Sequence, residues 1–242
     1  MNAGLRESGY STTIPAKRKE HVVMLSNATQ AGIGRRSLLG FAAFAAAAPM
    51  LARGAFAAAA PTDAVAAIQR LDAALLAAMK AGKQTDFQTR YAAMAPAIDQ
   101  AFDLPAVLAV SVGPRWSGLP ADQQARLLDA FRRYTVASYV ANFDEYTGQA
   151  FTVSPDARTL PSGDVVVNSR IAAPGGDSTD LGYVMKQTAS GWKVVDVLAD
   201  GSISRVAVQR SDFRSVLESG GGDALLASLQ RKTSDLSGGA LA

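Results

Sequence analysis

The feature that most restricts the fold is a change of hydrophobic period at Gly148. Upstream of it apolar residues recur three or four apart, and downstream they alternate, so helices precede strands. Val65, Ile68, Leu71, Leu75 and Met79 predict a first helix over 63–79, with Gly82 as its stop. Phe87, Tyr91 and Met94 share one face of a second helix over 86–98. Asp103 followed by Leu104-Pro105 reads as an N-cap with proline in the first turn. The third helix, 104–112, is almost wholly apolar and is expected to be buried. A turn-rich connector then leads to the longest helix, 121–146, which carries Leu127, Phe131, Tyr134, Tyr139, Phe143 and Tyr146.

Beyond Gly148, segments 150–154, 164–172, 179–188 and 191–199 are rich in Val, Ile, Tyr and Trp and read as strands. Gly175-Gly176-Asp177 and Ala189-Ser190-Gly191 are hairpin connections, so the strands are expected to run antiparallel. A fifth strand is expected near 202–208, followed by two short helices over 212–218 and 223–229 around Gly220-Gly221-Gly222. From Ser234 the chain reads as a flexible tail. Helices first and a hairpin sheet afterwards is the α+β order.

The first 57 residues read as an export leader. A basic stretch ends at Arg35-Arg36, an apolar run over 37–52 follows, and Ala55-Phe56-Ala57 supplies small residues for cleavage. Sixteen apolar-run residues fall short of the roughly 20 a spanning helix needs. The segment Gly34-Arg35-Arg36-Ser37-Leu38-Leu39 resembles the twin-arginine export motif, with Leu38 and Gly40 standing where Phe and Lys are usual. The expected destination is the periplasm, by the twin-arginine or the Sec route, and Met24 is an alternative start. Residues 1–57 hold seven Lys/Arg and two Asp/Glu, whereas the remainder holds 17 basic and 19 acidic residues. The high isoelectric point therefore belongs to the leader, and the mature part lacks the positive excess typical of nucleic-acid binding.

Chemistry is narrowed further by what is missing. The chain has no Cys and a single His, His21, which lies in the leader. Thiolate metal sites, cysteine nucleophiles and His-based triads are thereby removed from the mature part. No metal site, cofactor or catalytic residue is expected. Carboxylates remain, but Asp144-Glu145 diverge around a helix end, and Asp196, within a strand, reads as a structural residue with Asp200 just after it. Gly220-Gly221-Gly222 lacks the Lys-Ser/Thr of a phosphate loop. Lys186, Lys193, Arg205, Arg210 and Arg214 form a basic set, suited to anionic head groups or to a solvated sheet face. The aromatic and aliphatic stripe of the long helix and strands fits a filled core or one hollowed around a ligand.

The order and spacing of several short motifs resemble the MlaC family of periplasmic lipid-binding proteins. They run from Phe102-Asp103, Gly113 with Trp116, Gln123-x-x-Arg126 and Phe131 through Tyr139, Tyr146-x-Gly148 and Tyr183. Gly191-Trp192-Lys193-Val194-Val195-Asp196-Val197, Asp200-Gly201-Ser202-Ile203-Ser204 and Arg210-Ser211-Asp212-Phe213 follow, then Gly221, Leu225 and Leu229. Phe102-Asp103-Leu104-Pro105 with 139–143 is similar to the hopanoid-associated HpnM branch, while Asp200 and Gln209 depart from the residues usual in the family.

The resemblance implies an NTF2-like fold, with helices on a curved sheet and a lipid cavity between them. It implies a leader over 1–57, a lipid-binding domain over 58–233 and a tail over 234–242. The implied function is a carrier of phospholipid or hopanoid, passing lipid between an inner-membrane ABC transporter complex and an outer-membrane lipoprotein complex. Alternation places Tyr183 with Met185, and Trp192 with Val194, on one face. The expected cavity wall comprises Val107, Val110, Phe131, Tyr134, Tyr139, Phe143, Tyr183, Met185, Trp192 and Val194. The alternatives from other classes are an NTF2-like enzyme using a buried carboxylate such as Asp196, and an adaptor subunit with a solid core. Changing Arg35 and Arg36 together to Lys is expected to abolish export by the twin-arginine route. Fractionation followed by immunoblotting reads the result, and undiminished export assigns the leader to the Sec route.

Overall fold

A computed structural model describes residues 61–241; the leader expected over 1–57 lies outside the described residues. Five helices and a five-stranded sheet follow one another in the expected α-then-β order. Helix α1 (Pro61–Ala81) is followed by α2 (Phe87–Ala101), α3 (Leu104–Val112), a 3-10 turn (Gly113–Gly118) and α4 (Ala121–Asn142). Strands β1 (Ala150–Thr159), β2 (Val165–Ala172), β3 (Ser178–Thr188), β4 (Gly191–Ala199) and β5 (Ile203–Ser204) come next, and α5 (Arg205–Ser237) closes the chain. The sheet is a pure antiparallel meander in the order β1-β2-β3-β4-β5. This is the α+β, NTF2-like class.

Local chemistry sets the boundaries. Asp86 and Asp103 cap α2 and α3, each accepting a hydrogen bond from the backbone N–H three residues on. Strand β1 runs past its expected end because two extra residues form an irregularity between Val153 and Ala157. Pro155 sits in that interval, where a missing N–H costs no ladder bond.

The C-terminal part differs most from expectation. The fifth strand is two residues long, because Ser204 caps a helix that begins at Arg205. The Asp196 carboxylate accepts from the Ser204 hydroxyl and from the Val206 N–H, so β4 itself holds the start of α5. The two short helices expected near 212–218 and 223–229 are the arms of one long kinked helix. The kink falls at Gly221, whose φ of 64° and ψ of −155° suit glycine alone. The tail expected from Ser234 is instead the last turn of α5: Thr233 and Ser237 are buried, and Arg133 donates to the Leu241 carbonyl. Gly238, in the left-handed region, ends the helix.

One face of the sheet is apolar and is covered by α1, while α2, α3 and α5 pack on β4 and α4 packs on those three helices. The α2–α3 junction is tied to the sheet by the Asp103 N–H, which donates to the Val194 carbonyl. Arg90 is buried without a carboxylate, because its guanidinium donates to the Val140 and Thr85 carbonyls. Helices α4 and α5 approach closely at Gly222, where an added Cβ would lie 2.6 Å from the Gln123 side chain. Gly222→Val is expected to displace the Gln123 amide and break its hydrogen bond to Asp223, lowering stability by about 1 kcal/mol or less. Urea unfolding of the variant beside wild type measures this, and an unchanged midpoint would show that the contact relaxes at no cost.

Candidate functional site

The inner face of the sheet follows from strand register. Val165, Val167 and Ser169 of β2 pair with Met185, Tyr183 and Leu181 of β3. Met185 and Tyr183 pair in turn with Val194 and Val197 of β4. Alternation points these side chains to one side, toward α1. Tyr183, Met185 and Val194 are all at most 1% exposed, so protein atoms cover them completely.

From this interior a run of aromatic rings leads outward. Phe102 lies 5.6 Å from Tyr139, Tyr139 stacks on Phe143 at 5.9 Å with planes 10° apart, and Phe143 lies 6.4 Å from Phe151 of β1. Phe102 is buried, whereas Phe143 and Phe151 are half-buried, so the run spans from core to surface. It runs from the α2–α3 junction along the C-terminal end of α4 to β1, the edge strand of the sheet. Exposed Tyr146, with the Lys80 ammonium 5.3 Å from its ring centre, and the Lys83–Asp144 ion pair stand beyond α4 on this side of the molecule.

The expected wall residues divide by location. Tyr183, Met185, Trp192 and Val194 are buried on or beside the inner face, and Tyr139 and Phe143 belong to the aromatic run. Val107 is buried in the same continuous core. Phe131 and Tyr134 look elsewhere on α4: Phe131 packs edge-on against Phe213 of α5, and Tyr134 lies beneath Lys232. Val110 is 53% exposed and lines no interior wall. Its helix has an inward face already filled by Leu104, Val107, Leu108, Ser111 and Val112, and the 3.6-residue period turns position 110 to solvent.

The basic set also separates. Lys193 donates to the Asp99 and Gln100 carbonyls and so caps the end of α2. Arg210 and Arg214 join Arg115 around a surface groove of about 250 Å³ at the α3–α5 junction, away from the inner face. Asp196 pairs with Val184, which alternates with Tyr183 and Met185, so it projects from the opposite side of the sheet. Its oxygens are engaged by Ser204, Val197 and Val206, as befits a clamp on a helix start.

The polar residue that does lie inside is Asp72. It is 4% exposed, on the α1 stripe between Ile68 and Leu75, and its Oδ2 accepts a 2.6 Å hydrogen bond from Ser169 of β2. Its Oδ1 is buried without a hydrogen-bond partner. Burial pushes the carboxyl up to about 6, partly offset by the Ser169 hydroxyl. Tyr139 of α4 and Tyr183 of β3 are close enough to feel the Asp72 charge, and burial raises both phenols well above their usual range, keeping them protonated. Arg205, at the start of α5, acts on Tyr139 in the opposite sense. A search for apolar spacing passes over Asp72, but its register discloses it: position 72 continues the 65, 68, 75, 79 stripe.

The family model for MlaC protein matches residues 69–231. The chain belongs to the MlaC protein family. No curated protein matches its sequence. Among solved structures, the phospholipid-binding protein from Ralstonia solanacearum, determined in complex with a phospholipid, superposes with a TM-score of 0.63 at 22% identity. The alignment covers 72% of this chain and 99% of that one. An MlaC-family chain of this fold therefore carries a buried carboxylate between its first helix and its sheet.

Because the Asp72 carboxyl titrates higher in the folded protein than in the unfolded chain, its ionised form opposes folding. The penalty is full above about pH 6, reaches at most about 3 kcal/mol, and is relieved as pH falls toward 4. Asp72→Asn is expected to raise Tm at pH 7.5 and to flatten the gain that wild type shows between pH 7.5 and 5. Thermal unfolding across that range decides it; equal pH profiles for both proteins would place the titration elsewhere.

Proposed function

We propose that this protein is a periplasmic lipid carrier. It takes phospholipid tails between the inner face of the sheet and the helices above, and passes the lipid between membrane-bound complexes of an ABC-type transport system. The observation that carries the reading is membership of the MlaC family, with its fold shared by a protein solved with phospholipid bound. The aromatic run from Phe102 to Phe151 supports it with an apolar path from solvent to the covered face.

Energetics favour such a carrier. Each methylene exposed to water costs about 0.8 kcal/mol, so two tails of about thirty carbons in all cost on the order of 20 kcal/mol. Shielding that surface requires no catalytic group. It does require room. With Tyr183, Met185 and Val194 fully covered, tails enter only as the covering helices move off this face. Sites for drug-sized ligands enclose roughly 300–1,000 Å³, which indicates the scale of opening. The half-buried rings of Phe143 and Phe151, between α4 and β1, supply an apolar lining for such an opening.

Mass spectrometry of lipids extracted from the protein purified from its native host tests the proposal. Stoichiometric phospholipid or hopanoid is expected. Phe143→Ala and Phe151→Ala are expected to slow uptake of fluorescent phospholipid from vesicles severalfold, with stability loss below that of a fully buried Phe→Ala, about 3–5 kcal/mol. Purification without lipid, together with no uptake from vesicles, would overturn the carrier reading.

A further inference from the structure

We propose that Asp72, with Ser169 fixing its orientation, is a hydroxyl-recognition point inside the lipid site, selecting lipids that carry a hydroxyl group within their apolar body. The inference rests on the carrier reading and deepens it. A carboxylate on the core stripe of α1 is costly, and one already bound by Ser169 through Oδ2 still has an uncovered need at Oδ1. A hydrophobic residue at position 72 would pack against the sheet without that cost. The placement instead suits a ligand that supplies the missing donor.

The chemistry of the donor follows from its surroundings. Asp72 is flanked on α1 by Leu71 and Leu75 and faces the middle of β2, with Val167 and Tyr183 beside Ser169. A donor reaching Oδ1 is therefore embedded among apolar side chains, below the level at which a charged head group remains hydrated. A neutral hydroxyl meets that condition at a lower desolvation cost than an ammonium does. Simple saturated acyl chains offer no donor and leave Oδ1 unsatisfied. The protonated phenols of Tyr139 and Tyr183, on the same side of the sheet, add polar character to this interior. Ser169 acts by position: its hydroxyl occupies Oδ2 and leaves Oδ1 as the acceptor.

A competition experiment with octadecanoate and octadecanoates bearing one hydroxyl at carbon 2, 10 or 12 tests this on the full exported protein. Bound fatty acid is quantified by mass spectrometry after gel filtration at pH 7.5. Wild type is expected to favour one of the mid-chain hydroxylated probes by about tenfold, the worth of a charge-assisted hydrogen bond less its desolvation. Asp72→Leu is expected to lose that preference and to favour unsubstituted octadecanoate, because the hydroxyl then enters an apolar site. Asp72→Asn, which keeps an acceptor oxygen and the shape of the side chain, is expected to retain part of the preference and serves if the leucine variant fails to fold. Binding without discrimination in wild type, or a preference that survives in both variants, overturns the recognition proposal alone. Uptake of none of the probes, nor of phospholipid from vesicles, by wild type overturns the carrier reading and this proposal with it.

Discussion

The inner face of the sheet has to be covered, and α1 does most of the covering. Val65, Ile68, Leu71, Leu75 and Met79 lay a continuous apolar stripe against it, each buried side chain contributing about 1.5–3 kcal/mol. Without that helix, Tyr183, Met185 and Val194 would form an exposed apolar patch on an open sheet. The rest of the molecule is arranged so that the covering element is held at its edges. Helix α2 packs along one side of α1, and the α2–α3 junction is hydrogen-bonded to β4. On the α4 side, a line of rings leads from Phe102 through Tyr139 and Phe143 to Phe151 of β1.

That division separates rigid from movable parts. The α4–α5 pair is closely locked, through the Gly222 approach to Gln123, the Phe131–Phe213 edge contact and the Gln123–Asp223 hydrogen bond. Asp196 joins this pair to the sheet by holding the start of α5. With no cysteine in the chain, such packing and capping carry the whole burden of holding the frame. The rings between α4 and β1 are suited to a joint that opens, because stacked and tilted ring pairs gain only about 0.5–1.5 kcal/mol beyond their burial.

How much of this was legible depended on whether the signal was local. The change of period at Gly148, the Asp103-Leu104-Pro105 helix start and the hairpin connections act over a few residues, and they led directly to the helices and the antiparallel meander. The start of α5 was misread as strand because Ile203 to Val208 is β-prone. Its helical state is imposed by Asp196, whose sequence neighbours say nothing of Ser204. The expected flexible tail was misread for a similar reason, since the contact that holds it comes from Arg133, more than a hundred residues away. Alternation places Tyr183 with Met185, and Trp192 with Val194, on one buried face, as the register has it, whereas on α4 Phe131 and Tyr134 turn to α5 and Tyr139 does not. Asp72 gives no apolar signal, and only its register with 65, 68, 75 and 79 places it inside.

The placement of Asp72 bears on how one interior serves as both protein core and lipid solvent. A wholly apolar interface between α1 and the sheet gains most by closing, and its opening for a ligand would forfeit all of that gain. A carboxylate in the same interface reduces the gain on closing, since its ionised form is disfavoured by burial and one oxygen stays unsatisfied. The closed and loaded states are thereby brought closer in energy, at the expense of stability in the closed one. Such a compromise is expected wherever a site must release what it binds, because a site that only tightens cannot hand its ligand on.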